Sequence, residues 1–208
     1  MRLINVIRIS LSLTIAISLA LFLGCRRSPS AMVASPTDCM PTYDSNLVAR
    51  QIKENDDPQL FAVFHELPLY AMPACVDEAY TLTWIPSFHA PVLVRLWRSG
   101  SRYFMVAKEL DSKGWSKFGK IKETNARSLT AFEWRDWTDS INRASYWAMP
   151  PTVDELSPND GAVWLIDGLR AKEYHWVRRR VPDSQFADLA KHLIQLSGLE
   201  TAHALYLS

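Results

Sequence analysis

Any chemistry in this chain of 208 residues would rest on a short set of side chains. Five His occur: His65, His89, His175, His192 and His203. His89 stands between Phe88 and Pro91, and His175 stands between Tyr174 and Trp176. An imidazole exchanges its proton near neutrality, so in such aromatic surroundings it is either a hydrogen-bonded core group or part of a site. A hydrolase would join Ser87 or another Ser to His89 or His175 and to Asp160 or Asp167. No Ser stands in a GxSxG setting, so spacing gives that trio no support. The acidic pairs Asp56-Asp57, Asp77-Glu78 and Asp154-Glu155 could do acid–base work on a glycoside. Each lies beside a turn or a Pro, where caps and solvated loops account for it. His192, late in an amphipathic run, suits a helix C-terminus as a cation, and His65 and His203 carry no pattern.

Among eight Trp, Trp115 differs, because it sits in the basic loop DSKGWSKFGK. Such a tip reads either as a contact to a protein, glycan or anionic surface or as a ring folded back on its own domain. The triplet Arg178-Arg179-Arg180 reads as a solvated strand edge. Charge is segregated. Residues 38–78 hold eight acids against Arg50 and Lys53, and residues 95–127 hold nine bases against Glu109, Asp111 and Glu123. Either the two segments neutralise one another in the fold, or a basic face meets an acidic partner. With 23 Lys+Arg against 22 Asp+Glu, the chain lacks the footprint of a nucleic-acid binder. No CxxC, HxxxH or glycine-rich phosphate loop occurs, so neither metal nor cofactor is expected.

The elements that must position these groups follow from periodicity. Asp44 caps a helix bearing Leu47, Val48 and Ile52. Asp57-Pro58 opens a second helix with Leu60, Phe61 and Phe64 inward, and Pro68 and Pro73 end it. The period then changes to that of strands. Tyr80, Leu82 and Trp84 alternate with Thr81 and Thr83, and Val92, Val94 and Leu96 alternate with Leu93, Arg95 and Trp97. A break at Ser99-Gly100 leads into Tyr103, Met105 and Ala107, a hairpin pattern. A fourth strand is expected over Phe118 to Thr124. Thr130 and Glu133 form a capping box before a helix carrying Phe132, Trp137, Ile141 and Ala144, which stops near Tyr146-Trp147. Asp160-Gly161 turns into a strand over Ala162 to Asp167, and Gly168 begins the return to Tyr174–Arg179. Phe186, Leu189, Ala190, Leu193 and Leu196 recur at helical spacing before Gly198. No βαβ rhythm appears. The expected class is α+β, an antiparallel sheet of about five to six strands with helices on one face and a small N-terminal helical segment.

The first residues carry an address. Arg2 and Arg8 precede an uncharged apolar run from Ile9 to Leu23, the pattern of a secretory signal. The tetrad Phe22-Leu23-Gly24-Cys25 resembles the bacterial lipobox, with Phe22 and not Leu three positions before the Cys. The resemblance implies cleavage and lipidation at Cys25. It also implies attachment to membrane lipid in the envelope, with an outer membrane facing the periplasm as the default because Arg26 and not Asp follows. An uncleaved anchor with an incidental Cys is the other reading. Arg26 to Thr37, rich in Ser and Pro, reads as a flexible tether. In an oxidising compartment Cys39 and Cys75 are then expected to pair in a disulfide.

Spaced aromatic, Gly and His residues at Trp84–Val92, Trp147–Pro150, Asp160–Trp164 and Tyr174-His175 resemble a family of uncharacterised bacterial exported proteins, across Tyr80 to Leu199. That resemblance implies one module and brings no catalytic residues. The expected organisation is a signal peptide at 1–24, a tether at 25–37 and a helical segment at 38–78. An α+β domain at 79–200 and a tail at 201–208 complete it. The expected function is a lipid-anchored, non-enzymatic binding or inhibitor/immunity-type module with a protein or glycan partner. Trp115, His89 and His175 are its candidate binding residues. The alternative is an envelope hydrolase with its site near His89 and His175.

Overall fold

The strands β1 (Glu78–Pro86), β2 (Val92–Ser99), β3 (Arg102–Leu110), β4 (Ile121–Leu129), β5 (Ala162–Arg170) and β6 (Glu173–Arg179) form one sheet. Its order is β4-β3-β2-β1-β5-β6, with every neighbouring pair antiparallel. The computed structural model describes Cys39 and residues 58–112, 119–153 and 162–199. The chain divides into two units, 1–38 and 39–208, and all described residues belong to the second. Cys25, the tether, the helix expected around Leu47 and the Trp115 loop lie outside the described residues, as do Asp160 and the tail. Among those described, no helix is long and apolar enough to cross a membrane.

Alternation along each strand divides the sheet into two unlike faces. Tyr80, Leu82, Trp84, Val92, Val94, Leu96, Met105, Trp164 and Ile166 share the larger core. The helices α2 (Ala131–Arg143) and α3 (Ser184–Ser197) cover it with Trp134, Trp137, Ile141, Phe186, Leu189 and Leu193. The opposite face is covered in part by α1 (Pro58–Phe64) and the 3-10 turn Leu69–Ala71. There Leu69, Val76, Ala79, Trp97 and Phe104 form a second cluster with Cys39, and Phe64, Leu93 and Leu110 a third. Cys39 and Cys75 are joined, with Cα atoms 6.0 Å apart. The α+β class and the antiparallel sheet are as the periodicity implies.

Three boundaries differ from expectation. β4 runs Ile121–Leu129 and not from Phe118 to Thr124. It is an edge strand with mostly exposed Thr, Asn, Ala and Ser positions, so it carries no apolar alternation. Gly168 lies inside β5, and the return to β6 is made by Ala171 and Lys172 at φ 50° and 70°. These positive angles suit a two-residue hairpin, but neither residue is the Asn or Gly that announces one. Gly168 serves close packing instead, because a Cβ there would lie 2.9 Å from Tyr146 Cε1. The Arg triplet is not a uniformly solvated edge. Arg179 is buried, donates to Pro150 O at 3.0 Å and stands 5.7 Å from the Phe186 ring centre.

α2 begins as its sequence dictates. The Glu133 N–H donates to Thr130 Oγ1 at 3.2 Å, and Thr130 N–H donates to Glu133 Oε2 at 2.7 Å. Hydrogen bonding from Arg127, then from Thr130, holds the Glu133 carboxyl down at about 2, against an ordinary value of 4.5. A carboxyl depressed by folding stabilises above its unfolded value, and that contribution disappears as pH falls through the folded one. Thr130→Ala is therefore expected to cost about 1 kcal/mol. Glu133→Gln should flatten the loss of stability that the parent shows between about pH 4.5 and 2, read from urea midpoints at each pH.

Candidate functional site

The second face also carries a cleft of about 500 Å³ over β1, β5 and β6. Its floor follows from strand register. Arg95, Thr81, Asp167 and Trp176 stand side by side in one row across β2, β1, β5 and β6. Leu93, Thr83, Leu165 and Arg178 form the next. Leu60, Phe61, Pro68 and Leu69 wall one side, and Pro151 and Thr152 also line the space.

An ionic assembly fixes the wall to the floor. Glu66 is buried and accepts from Arg95 Nη1 and from Lys108 Nζ, each at 2.6 Å. Arg95 also donates to Thr81 Oγ1 at 2.9 Å and to Leu67 O at 2.6 Å. Lys108 Nζ donates to Phe64 O at 2.7 Å, satisfying a carbonyl at the end of α1. The chain leaves α1 through His65 in the left-handed region, at φ 50°. Arg98 meets Asp77 and Glu78, each at 3.7 Å. All these ion pairs join the acidic 38–78 segment to the basic 95–127 segment, so the charge segregation is in this part spent inside the fold.

In the cleft, Asp167 accepts a hydrogen bond from Tyr174 OH at 2.6 Å. Arg178 is exposed, and its guanidinium makes no hydrogen bond or ion pair among the described residues. Thr83 is only 7% exposed, and its hydroxyl has no partner among the described residues. Among the described residues, neither His, Cys nor Ser lines the cleft. Such a surface can bind.

The structure does not bring His89 and His175 together. His89 sits in the β1–β2 link, beyond the Trp84–Val92 pair. His175 pairs with Gly168, which is level with Tyr80, six residues before Pro86 and so roughly 20 Å along the strand. The His175 ring lies against Tyr146 and Trp147 on the helix-covered face, with centroids 5.2 and 6.0 Å away, and its Nε2 is buried without a partner. Asp167 and Trp176 occupy the opposite face, so His175 and Asp167 form no dyad. Among the described residues, no group of three or more His, Cys, Asp and Glu could hold a metal.

A Ser–His–carboxylate chain does occur between α2 and α3. Ser140 Oγ is 3.1 Å from His192 Nδ1, and His192 Nε2 is 3.3 Å from Asp136 Oδ2. Its serine has other partners as well. Ser140 donates its proton to Asp136 O at 2.9 Å and accepts from Arg143 at 2.8 Å. Ser140 Oγ is thus shared among Asp136 O, Arg143 and His192, an arrangement that joins the two helices. Burial first lowers the His192 pKa, Asp136 opposes that and Arg143 adds to it. The ring thus ties α2 to α3 through Ser140 and Asp136.

Sequence reasoning missed Arg95, Thr83, Asp167 and Arg178 as a group, since only the β1–β5 and β5–β6 register unites them. No protein-family description, curated protein or solved structure matches the chain.

Proposed function

We propose that the chain is a lipid-anchored envelope protein that holds a ligand in the cleft over β1, β5 and β6 and performs no reaction on it. The observation that carries this reading is the lining. The volume of about 500 Å³ lies in the range of small-ligand sites, and Leu60, Phe61, Ile85, Leu165 and Trp176 give it an apolar majority. Its ionisable groups are engaged, as Asp167 and Arg95 are, or permanently charged, as Arg178 is. The 39–208 unit contains every described contact, so it can be tested by itself. Nile red, a neutral apolar dye, is expected to bind it with a blue shift in emission. Leu165→Trp, which fills the middle of the floor, should abolish that shift while the thermal midpoint stays within a few degrees. A dye that ignores this substitution, or does not bind, would remove the cleft from the proposal.

The anchor rests on the charged start, the apolar run and Cys25. The Cys39–Cys75 bridge supports export to an oxidising compartment. Cys25→Ala in the full chain is expected to abolish lipid labelling and to release the protein from membrane fractions. Should the variant still sediment with membranes after a high-salt wash, the uncleaved anchor is the correct reading.

A further inference from the structure

Taking the cleft as the binding site, we infer that its ligand is a small amphiphile with an apolar chain and a single carboxylate, held at its head by Arg178 and Thr83. Both residues lie in one cross-strand row, on either side of Leu165. Two strand spacings put their backbones about 10 Å apart, a gap that an extended Arg side chain and one carboxylate can fill. Both polar groups are unspent. Thr83 is 7% exposed and lines the cleft, and its hydroxyl has no partner among the described residues, so it can donate to a ligand acceptor. Arg178 brings a charge with no counter-ion among the described residues.

Charge selects a monoanion. Arg95 and Lys108 share Glu66, and Asp167 stands in the neighbouring row, so these groups together with Arg178 leave one positive charge. A phosphate dianion would bring a second negative charge toward Asp167 with nothing to meet it. The apolar remainder selects an acyl chain over a peptide. Leu60, Phe61, Ile85, Val163, Leu165 and Trp176 offer no backbone-like partners. The β6 N–H at Arg178 is already given to Pro151 O at 2.8 Å, so the amides of a buried peptide would go unpaired here.

The test uses the 39–208 unit and four probes below their micelle concentrations: dodecanoate, dodecyl phosphate, dodecanol and dodecyltrimethylammonium. Each is titrated against bound Nile red and measured by calorimetry. Dodecanoate is expected to displace the dye at one per chain, about ten-fold or more tighter than dodecanol. Arg178→Gln should reduce dodecanoate to the level of dodecanol and affect Nile red far less. Arg178→Lys should recover part of the loss, and Thr83→Val should weaken dodecanoate alone. Arg178 is exposed and its strand bond comes from the backbone, so these variants fold. If Nile red binds but dodecanoate gains nothing over dodecanol, the carboxylate assignment falls and the cleft remains a binding site. If dodecyl phosphate or the cation binds tightest, the charge argument is wrong. If neither dye nor dodecanoate binds, the cleft reading fails and takes this inference with it.

Discussion

Glu66→Gln is expected to lower stability by about 3–5 kcal/mol, the cost of removing one partner from a buried ion pair. The carboxylate lies between Arg95 and Lys108, with both nitrogens 2.6 Å away. An amide of the same size removes the anion and leaves two buried cations with only carbonyl oxygens and the Thr81 hydroxyl for company. A domain with a total stability of about 5–15 kcal/mol loses much of its margin. Urea unfolding reads the loss as a lower midpoint. A second variant separates charge from shape: Glu66→Leu, Arg95→Met and Lys108→Leu together should recover a large part of the stability, because apolar groups need no counter-ion. A Glu66→Gln midpoint within 1 kcal/mol of the parent would contradict this account. The effect also reaches the cleft, since Arg95 ties the Leu67 carbonyl beside its wall to the floor.

Glu66 shows where sequence reading stops. The alternation of Val92, Val94 and Leu96 marks one buried face of β2, and the opposite face then reads as the polar one that would carry Arg95. Yet Leu93 and Trp97 flank Arg95 on that face, and Phe104 and Val106 stand opposite it in β3. Large apolar residues on both faces are the signature of a strand covered twice. Read that way, Arg95 must be buried and must have an acid, and the surplus of acids in 38–78 says where to look. Capping boxes, apolar stripes and the hairpin at Ser99-Gly100 were legible because each signal lies within a few residues. The cleft was not. Thr83, Leu165 and Arg178 meet only through pairing of β1 with β5 and of β5 with β6, and the β5–β6 turn carries residues that hide it.

Removing the disulfide, as Cys39→Ser with Cys75→Ser, is expected to cost about 4 kcal/mol and to do so locally. The bridge spans a sequence separation of 36, for which loop-closure entropy in the unfolded chain gives a figure of this size. The enclosed chain needs it. α1 has seven residues, far below the length at which a helix persists by itself, and among the described residues it is held by a few side chains and by the Glu66 assembly. Cys39 is itself part of the cluster with Leu69, Val76 and Trp97, so its sulfur adds packing to the cross-link. Among the described residues, the larger core between the sheet and α2 and α3 contains none of the enclosed ones. Hydrogen exchange should therefore rise sharply over residues 58–76 and remain slow in β1, β2 and β5. Nile red and dodecanoate binding should weaken together, because Leu60, Phe61, Pro68 and Leu69 no longer hold their wall. Uniform loosening across the sheet would show that the bridge supports the whole fold and not the cleft wall. Two free thiols in the unreduced exported protein, seen by mass spectrometry, would rule the bridge out.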